Sequence, residues 1–154
     1  MDWNDISSIS DKILGLLPQQ DPFRFLDKII EIDESHCVGQ YTFKKDEYFY
    51  KGHFPGNPVT PGVILTETMA QVGVCSLSIY LLLKEGKLGT QNITTLFTEA
   101  QTEFIKPVLP GETVTIKAEK LFWRRNKLKC KTQLYLSNGD LAAEAELSGM
   151  GVIR

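Results

Sequence analysis

The chain has 154 residues, 42% of them hydrophobic, and a formal net charge of −2. That length suits a single domain spanning 1–154 with a core of its own, and the hydrophobic share excludes a disordered chain. The near-balanced charge argues against general nucleic-acid binding. Three cysteines, Cys37, Cys75 and Cys130, have neither the even count nor the spacing of a disulfide framework or a zinc site. They are expected as buried, reduced thiols.

The N-terminus, MDWNDISSISDKILGLLPQQ, opens with acids and lacks a basic segment, so it does not read as a signal peptide. Asp5 to Leu17 places Ile6, Ile9, Ile13, Leu14, Leu16 and Leu17 at helical spacing, with Asp5 or Ser7 as cap and Pro18 as stop. Phe25 to Asp33 and Cys37 to Phe43 read as two strands around a tight turn at Glu34–Ser35. Lys44 to Lys51 is a polar and aromatic loop. Pro61 to about Leu83 reads as one long helix, with Thr60 as N-cap, Pro61 at the first position and Gly86 as the stop signal. It is apolar nearly all round, which means burial on every side. Its longest apolar run, Val72 to Leu83, falls short of the ~20 residues that span a bilayer, and a soluble cytoplasmic protein is expected. The remainder alternates as strands: Ile93 to Ile105, Thr113 to Phe122, Lys127 to Leu136 and Leu141 to Met150. Arg125-Asn126 and Asn138-Gly139 mark two hairpin tips. The order is helix, two strands, buried helix, four strands. That is an α+β chain in which an antiparallel sheet wraps around one long helix.

The chemistry concentrates between Gly52 and Gln71, GHFPGNPVTPGVILTETMAQ. Pro55, Pro58 and Pro61 stiffen the loop that carries His53, because each fixes φ near −65°. A lone histidine in such a turn is read either as structural or as a positioned base. Glu67 sits two turns into the helix on a stripe with Val63, Ala70, Gln71 and Val74. Desolvation raises a carboxyl there above its usual ~4.3 and suits it to a general acid, with Gln71 in hydrogen-bonding reach. A histidine titrating near 6.5 suits a general base. The free N–H groups of Gly62 and Val63 at the helix start make an oxyanion hole. Base, acid and oxyanion hole fit proton abstraction beside a carbonyl, followed by loss of a β-substituent. His36 is read as structural, and two histidines without a cluster make no metal site.

The same stretch resembles the signature of the 3-hydroxyacyl-acyl-carrier-protein dehydratases of the FabZ type, in the hotdog-fold superfamily. Leu17-Pro18 with Pro22-Phe23 and Phe25-Leu26-Asp27, FIKPVLPGE (Phe104 to Glu112) and AAEAELSGM (Ala142 to Met150) are similar to further parts of that family. The resemblance implies a hotdog fold with His53 and Glu67 as catalytic pair and Gly62 as donor to the thioester oxygen; Val63 beside it, Pro61 at the helix start and Gln71 are read from the helix itself as binding and supporting residues. It implies substrates carried on the phosphopantetheine of an acyl carrier protein, with no metal or redox cofactor. It further implies a homodimer, or a hexamer as a trimer of dimers, in which each site takes its catalytic residues from two subunits. Glutamate at 67, where FabA dehydratase-isomerases carry aspartate, places the chain on the FabZ side. Two features depart from the family. Gln19 and Gln20 stand where it often has histidine and arginine, and the link Glu85 to Gln91 is more polar.

Leu96 and Phe97 are expected to line the acyl tunnel. Arg124, Arg125, Lys127, Lys129 and Lys131 form a basic run, read either as a solvated strand face or as a patch for an acidic carrier protein. The implied activity is dehydration of 3-hydroxyacyl thioesters in fatty acid biosynthesis. The alternatives are a related dehydratase of a specialised polyene or polyketide-like pathway, a hotdog thioesterase, and a non-catalytic acyl-binding subunit.

Overall fold

Asp5 caps helix α1, Ile6–Leu16, by accepting the Ser7 N–H at 3.1 Å, and the buried face is Ile9, Ser10, Ile13 and Leu14. A computed structural model describes the chain over residues 1–89 and 92–153. Thr90 and Gln91, which end the polar link noted above, lie outside the described residues. Pro18 closes α1, and Gln20 Nε2 donates to the Leu14 and Leu17 carbonyls at 3.2 and 2.9 Å. The last turn therefore keeps partners for acceptors that would otherwise be orphaned.

The first strand is shorter than expected, β1 being Lys28–Ile32, while β2, His36–Thr42, keeps the expected length one residue earlier. Phe25 and Leu26 turn inward ahead of β1 as fully buried side chains. After a 3-10 turn at Tyr48–Lys51, the central helix runs from Gly62 to Lys84. Its stop matches the Gly86 signal. Gly86 adopts φ 68°, Gly86 N–H bonds to Leu83 O, and Lys87 N–H bonds to Leu82 O, the paired closure of a left-handed cap. By length and hydropathy this helix could cross a membrane, but 78% of its most apolar window is buried inside the protein. Burial is nevertheless uneven. Val63 is 76% exposed, and Gly62, Thr66 and Glu67 are half-buried, so the first two turns are open where the sequence suggested full enclosure.

Four long strands follow: β3, Ile93–Phe104; β4, Thr113–Arg124; β5, Lys127–Tyr135; and β6, Leu141–Ile153. Arg125 and Asn126 take φ of 52° and 61° at the β4–β5 tip, as a two-residue loop of the primed kind requires. All neighbours pair antiparallel, in the order β1-β2-β4-β5-β6-β3. The sheet curls over the central helix, and two glycines permit the close approach. A Cβ on Gly73 would lie 2.8 Å from Cys130 Sγ, and one on Gly149 would clash with Val74. In the middle of the helix, Gln71–Ser76 widens to π geometry. Ser76 Oγ donates to the Gln71 carbonyl at 2.6 Å and satisfies an acceptor within that loosened turn. The result is the hotdog fold. All three cysteines are buried free thiols.

Candidate active site

Glu67 points from the second turn of the central helix into a cavity of about 60 Å³, lined also by Gln19, Ala70, Val74, Cys75, Thr95, Leu96 and Phe97. Burial raises its carboxyl above the ordinary glutamate range, against the lowering pull of hydrogen bonds from Gln71 and Gln19. Gln71 is fully buried and tied at both ends. Its Oε1 accepts the Phe25 N–H at 2.7 Å, and its Nε2 donates to Phe23 O and to Glu67 Oε1, both at 2.9 Å. The amide orientation is therefore fixed by the backbone entering β1, and Glu67 inherits that order. Leu96 and Phe97, expected along an acyl tunnel, stand in the same wall as Glu67.

His53 is half-buried in the proline-rich loop. Its Nδ1 lies 2.9 Å from the Val59 carbonyl. A carbonyl only accepts, so Nδ1 carries the proton and Nε2 is left as the basic nitrogen of the neutral ring. Val59 N–H returns a bond to the His53 carbonyl at 2.9 Å, and the ring stacks on Phe54 with centroids 4.1 Å apart. One hydrogen bond to the ring, one to its backbone carbonyl and a stacked ring thus hold His53 in place. His53 does not line the Glu67 cavity.

The helix start differs from expectation in its cap. Pro61, with φ −57° and ψ 137°, is the N-cap residue, and Gly62 is the first helical one. Thr60 does not cap. Its hydroxyl bonds to the Tyr50 hydroxyl at 2.7 Å, and its N–H to Val108 O at 2.9 Å, so the loop is pinned to its neighbours instead. Pro61 O takes the N–H groups of Ile64 and Leu65. Among the described residues, Gly62 and Val63 N–H have no acceptor, as their positions require. Gly62 faces the Phe104 ring so closely that a Cβ would lie 2.9 Å from its Cζ.

At the β4–β5 tip, Arg124 and Arg125 are exposed and Lys127 is half-buried. Lys129 is drawn towards Glu99 at 3.6 Å and Glu146 at 3.9 Å. Trp123 donates to Glu85 at 2.7 Å and packs beside Leu77, Leu81 and Leu128, a structural role. The His36 ring lies between Glu31 (3.1 Å) and Asp33 (2.9 Å). Three cavity residues escaped the sequence reading: Gln19, Cys75 and Thr95. Gln19 had a signal, since it follows the Leu-Pro that ends α1. Cys75 continues the Glu67–Gln71 spacing by four more residues.

A family model for the FabA-like domain matches residues 17–146. A 3-hydroxyacyl-[acyl-carrier-protein] dehydratase FabZ of Geotalea uraniireducens (strain Rf4) is 36% identical over 138 residues, covering 89% of this chain and 92% of its own. One from Caldicellulosiruptor bescii is 37% identical over 139 residues, covering 89% and 94%. Among solved structures, the dehydratase heterocomplex ApeI:P from Xenorhabdus doucetiae superposes with a TM-score of 0.76 at 18% identity, covering 91% of this chain and 90% of that one. At that identity the likeness attests the fold alone. The two FabZ enzymes match along almost their whole length, and the chain belongs to the FabA-like domain family, among its dehydratases of the FabZ type.

Proposed function

We propose that the chain dehydrates 3-hydroxyacyl thioesters, carried on the phosphopantetheine of an acyl carrier protein, to trans-2-enoyl thioesters in fatty acid biosynthesis. The observation that carries this reading is a carboxyl raised by burial in a small cavity at the start of an apolar helix, in a chain whose curated relatives are FabZ dehydratases. His53 Nε2 takes the proton from C2, and the electrons move to the thioester oxygen. Gly62 N–H, with Val63 N–H and the helix dipole, holds that oxygen. As the enolate collapses, the C3–O bond breaks and Glu67 gives its proton to the departing hydroxyl, which leaves as water. The chain's own groups supply base, acid and donors, and the reaction so drawn needs no metal or redox cofactor.

The site is completed by a second copy of the chain. Among the described residues, His53 is absent from the wall around Glu67, and β3 ends the sheet with one edge unpaired and with Leu96 and Phe97 exposed at 56% and 47%. Pairing β3 with its copy extends the sheet and closes the tunnel. Three such dimers would make a hexamer. Arg124, Arg125 and Lys127 offer the acidic carrier protein a basic contact beside the strands. The reaction is assigned to the cytoplasm.

The test follows absorbance of the conjugated enoyl thioester on 3-hydroxyacyl carrier-protein substrates of several chain lengths. The wild-type chain is expected to form it, and His53→Ala to slow it by about 10²–10⁴-fold. Thiol release without enoyl product would replace the dehydratase reading with a thioesterase, and an undiminished His53→Ala would remove His53 from the mechanism.

A further inference from the structure

Two glutamine amides meet Glu67, and they are held differently. Gln71 has both ends of its amide tied to backbone, so its place is explained by packing alone. Gln19 has not. Its Nε2 lies 3.4 Å from Glu67 Oε1 and 3.5 Å from Cys75 Sγ, while its buried Oε1 has no hydrogen-bond partner among the described residues. An amide kept for structure pairs its carbonyl, because a buried unpaired acceptor is costly. Gln19 leaves its carbonyl unpaired and keeps its N–H at the carboxyl.

The local chain explains how it reaches there. Pro18 ends α1, and the neighbouring Gln20 turns outward to bind the last α1 carbonyls. Gln19, the residue before it, lines the Glu67 cavity. The adjacent pair divides the work, Gln20 fixing the turn and Gln19 facing the acid.

We propose that Gln19 is a positioning residue: its amide N–H holds the negative charge that Glu67 acquires on handing its proton to the departing hydroxyl. An ionised carboxylate only accepts, so the end of the amide that meets it in that state is the N–H. In the neutral acid the same contact is an ordinary hydrogen bond, and in the ionised form it is charge-assisted and about twice as strong. The contact therefore strengthens along the proton transfer, which is the property that lowers a barrier rather than merely binding. The proposal rests on the dehydratase role assigned to Glu67 above, and it concerns a position where the sequence departs from the family pattern it otherwise resembles.

The groups facing Glu67 make the effect separable. From the central helix these are Gln71 and Cys75, from the segment after α1 Gln19, and from β3 Thr95, Leu96 and Phe97. Among the described residues, Cys75 is the one other titratable group in this wall, and burial pushes its thiol up to about 11. It stays neutral through the range in which Glu67 titrates.

Gln19→Met keeps the length and removes the donor. In a ¹³C titration of the glutamate side-chain carboxyls of the full-length protein, the Glu67 signal is identified by its loss in Glu67→Gln. Its midpoint is expected to rise in Gln19→Met by about half to one pH unit, and further in Gln19→Glu, where a second carboxyl opposes ionisation. In the enoyl assay, Gln19→Met should lower kcat several-fold with KM unchanged, and its alkaline limb should move to higher pH, because the acid form of Glu67 then persists further. A Glu67 midpoint unmoved in both variants would overturn the role of Gln19, whatever the activity. A shifted midpoint in a protein that makes no enoyl product would leave the Gln19–Glu67 contact standing and reject the dehydratase reading instead.

Discussion

Glu67 bears a stability cost for its chemistry. Burial raises its carboxyl above the ordinary range, so the folded chain prefers the proton more than the unfolded chain does. For such a group the folded state is favoured below the unfolded pKa, and that advantage is lost as pH rises through the higher folded pKa. Once pH passes that higher folded pKa, the ionised carboxylate in its half-apolar wall opposes folding. Glu67→Gln keeps the shape and can still accept the Gln71 N–H. It is expected to raise Tm, with a gain that is absent in acid and grows as pH climbs past the usual glutamate range, and to lose about 10²–10⁴-fold in turnover. Paired melting curves across pH and one rate measurement check both halves. A variant with undiminished turnover would take Glu67 out of the mechanism. At this scale the sequence was most readable. Glu67, Gln71, Gly62 and Val63 follow from helical spacing and from the rule that the first N–H groups of a helix lack partners. The tautomer of His53 was not readable, because it depends on the carbonyl of Val59 folding back over six residues.

The central helix shows what periodicity conveys and what it misses. Its length, its apolar character and its Gly86 stop are all local properties, and each is visible in one dimension. The π segment at Gln71–Ser76 is not, because it arises where the helix presses on β4 and β5 and where Ser76 can satisfy the Gln71 carbonyl. The Thr60 cap failed for a similar reason: Tyr50 and Val108 compete for the groups that would have turned towards the helix. Gly73 tests the packing side of this account. Alanine there gains up to about 1 kcal/mol in helix propensity. Its Cβ, however, meets Cys130 Sγ at 2.8 Å, Thr132 Cγ2 at 3.0 Å and Ala118 Cβ at 3.2 Å, all on buried strand residues. Overpacking of that kind costs about 1–3 kcal/mol, so the clash outweighs the propensity. Gly73→Ala is expected to melt several degrees lower, and Cys130→Ala in the same chain to recover part of the loss through the coupling of neighbours. Additive losses in the double variant would show that the sulfur is not the obstacle.

At the scale of the whole molecule, β3 is the long edge, paired with β6 along one side. β3 is twelve residues long and lies at the sheet edge, and nearly every residue along it is exposed or half-exposed. Leu96, Phe97 and Phe104 are 56%, 47% and 52% exposed. Long apolar edges of this kind are an aggregation hazard unless another strand covers them. The proposed two-fold pairing of β3 with its own copy would cover that edge, and the opposite edge, β1, has only five residues. The sequence carried the apolar residues of β3 but not their orphaning, since strand order follows from tertiary pairing and not from any single run. Phe97 lines the Glu67 cavity and stands on the exposed edge strand at once, so assembly and activity should fail together. Phe97→Asp is expected to shift the chain towards monomer in light scattering. Turnover per chain should fall with it and recover as protein concentration rises, because mass action restores the pair. A Phe97→Asp monomer of full activity would show that one chain holds a complete site, and the second copy would then have no part in the chemistry.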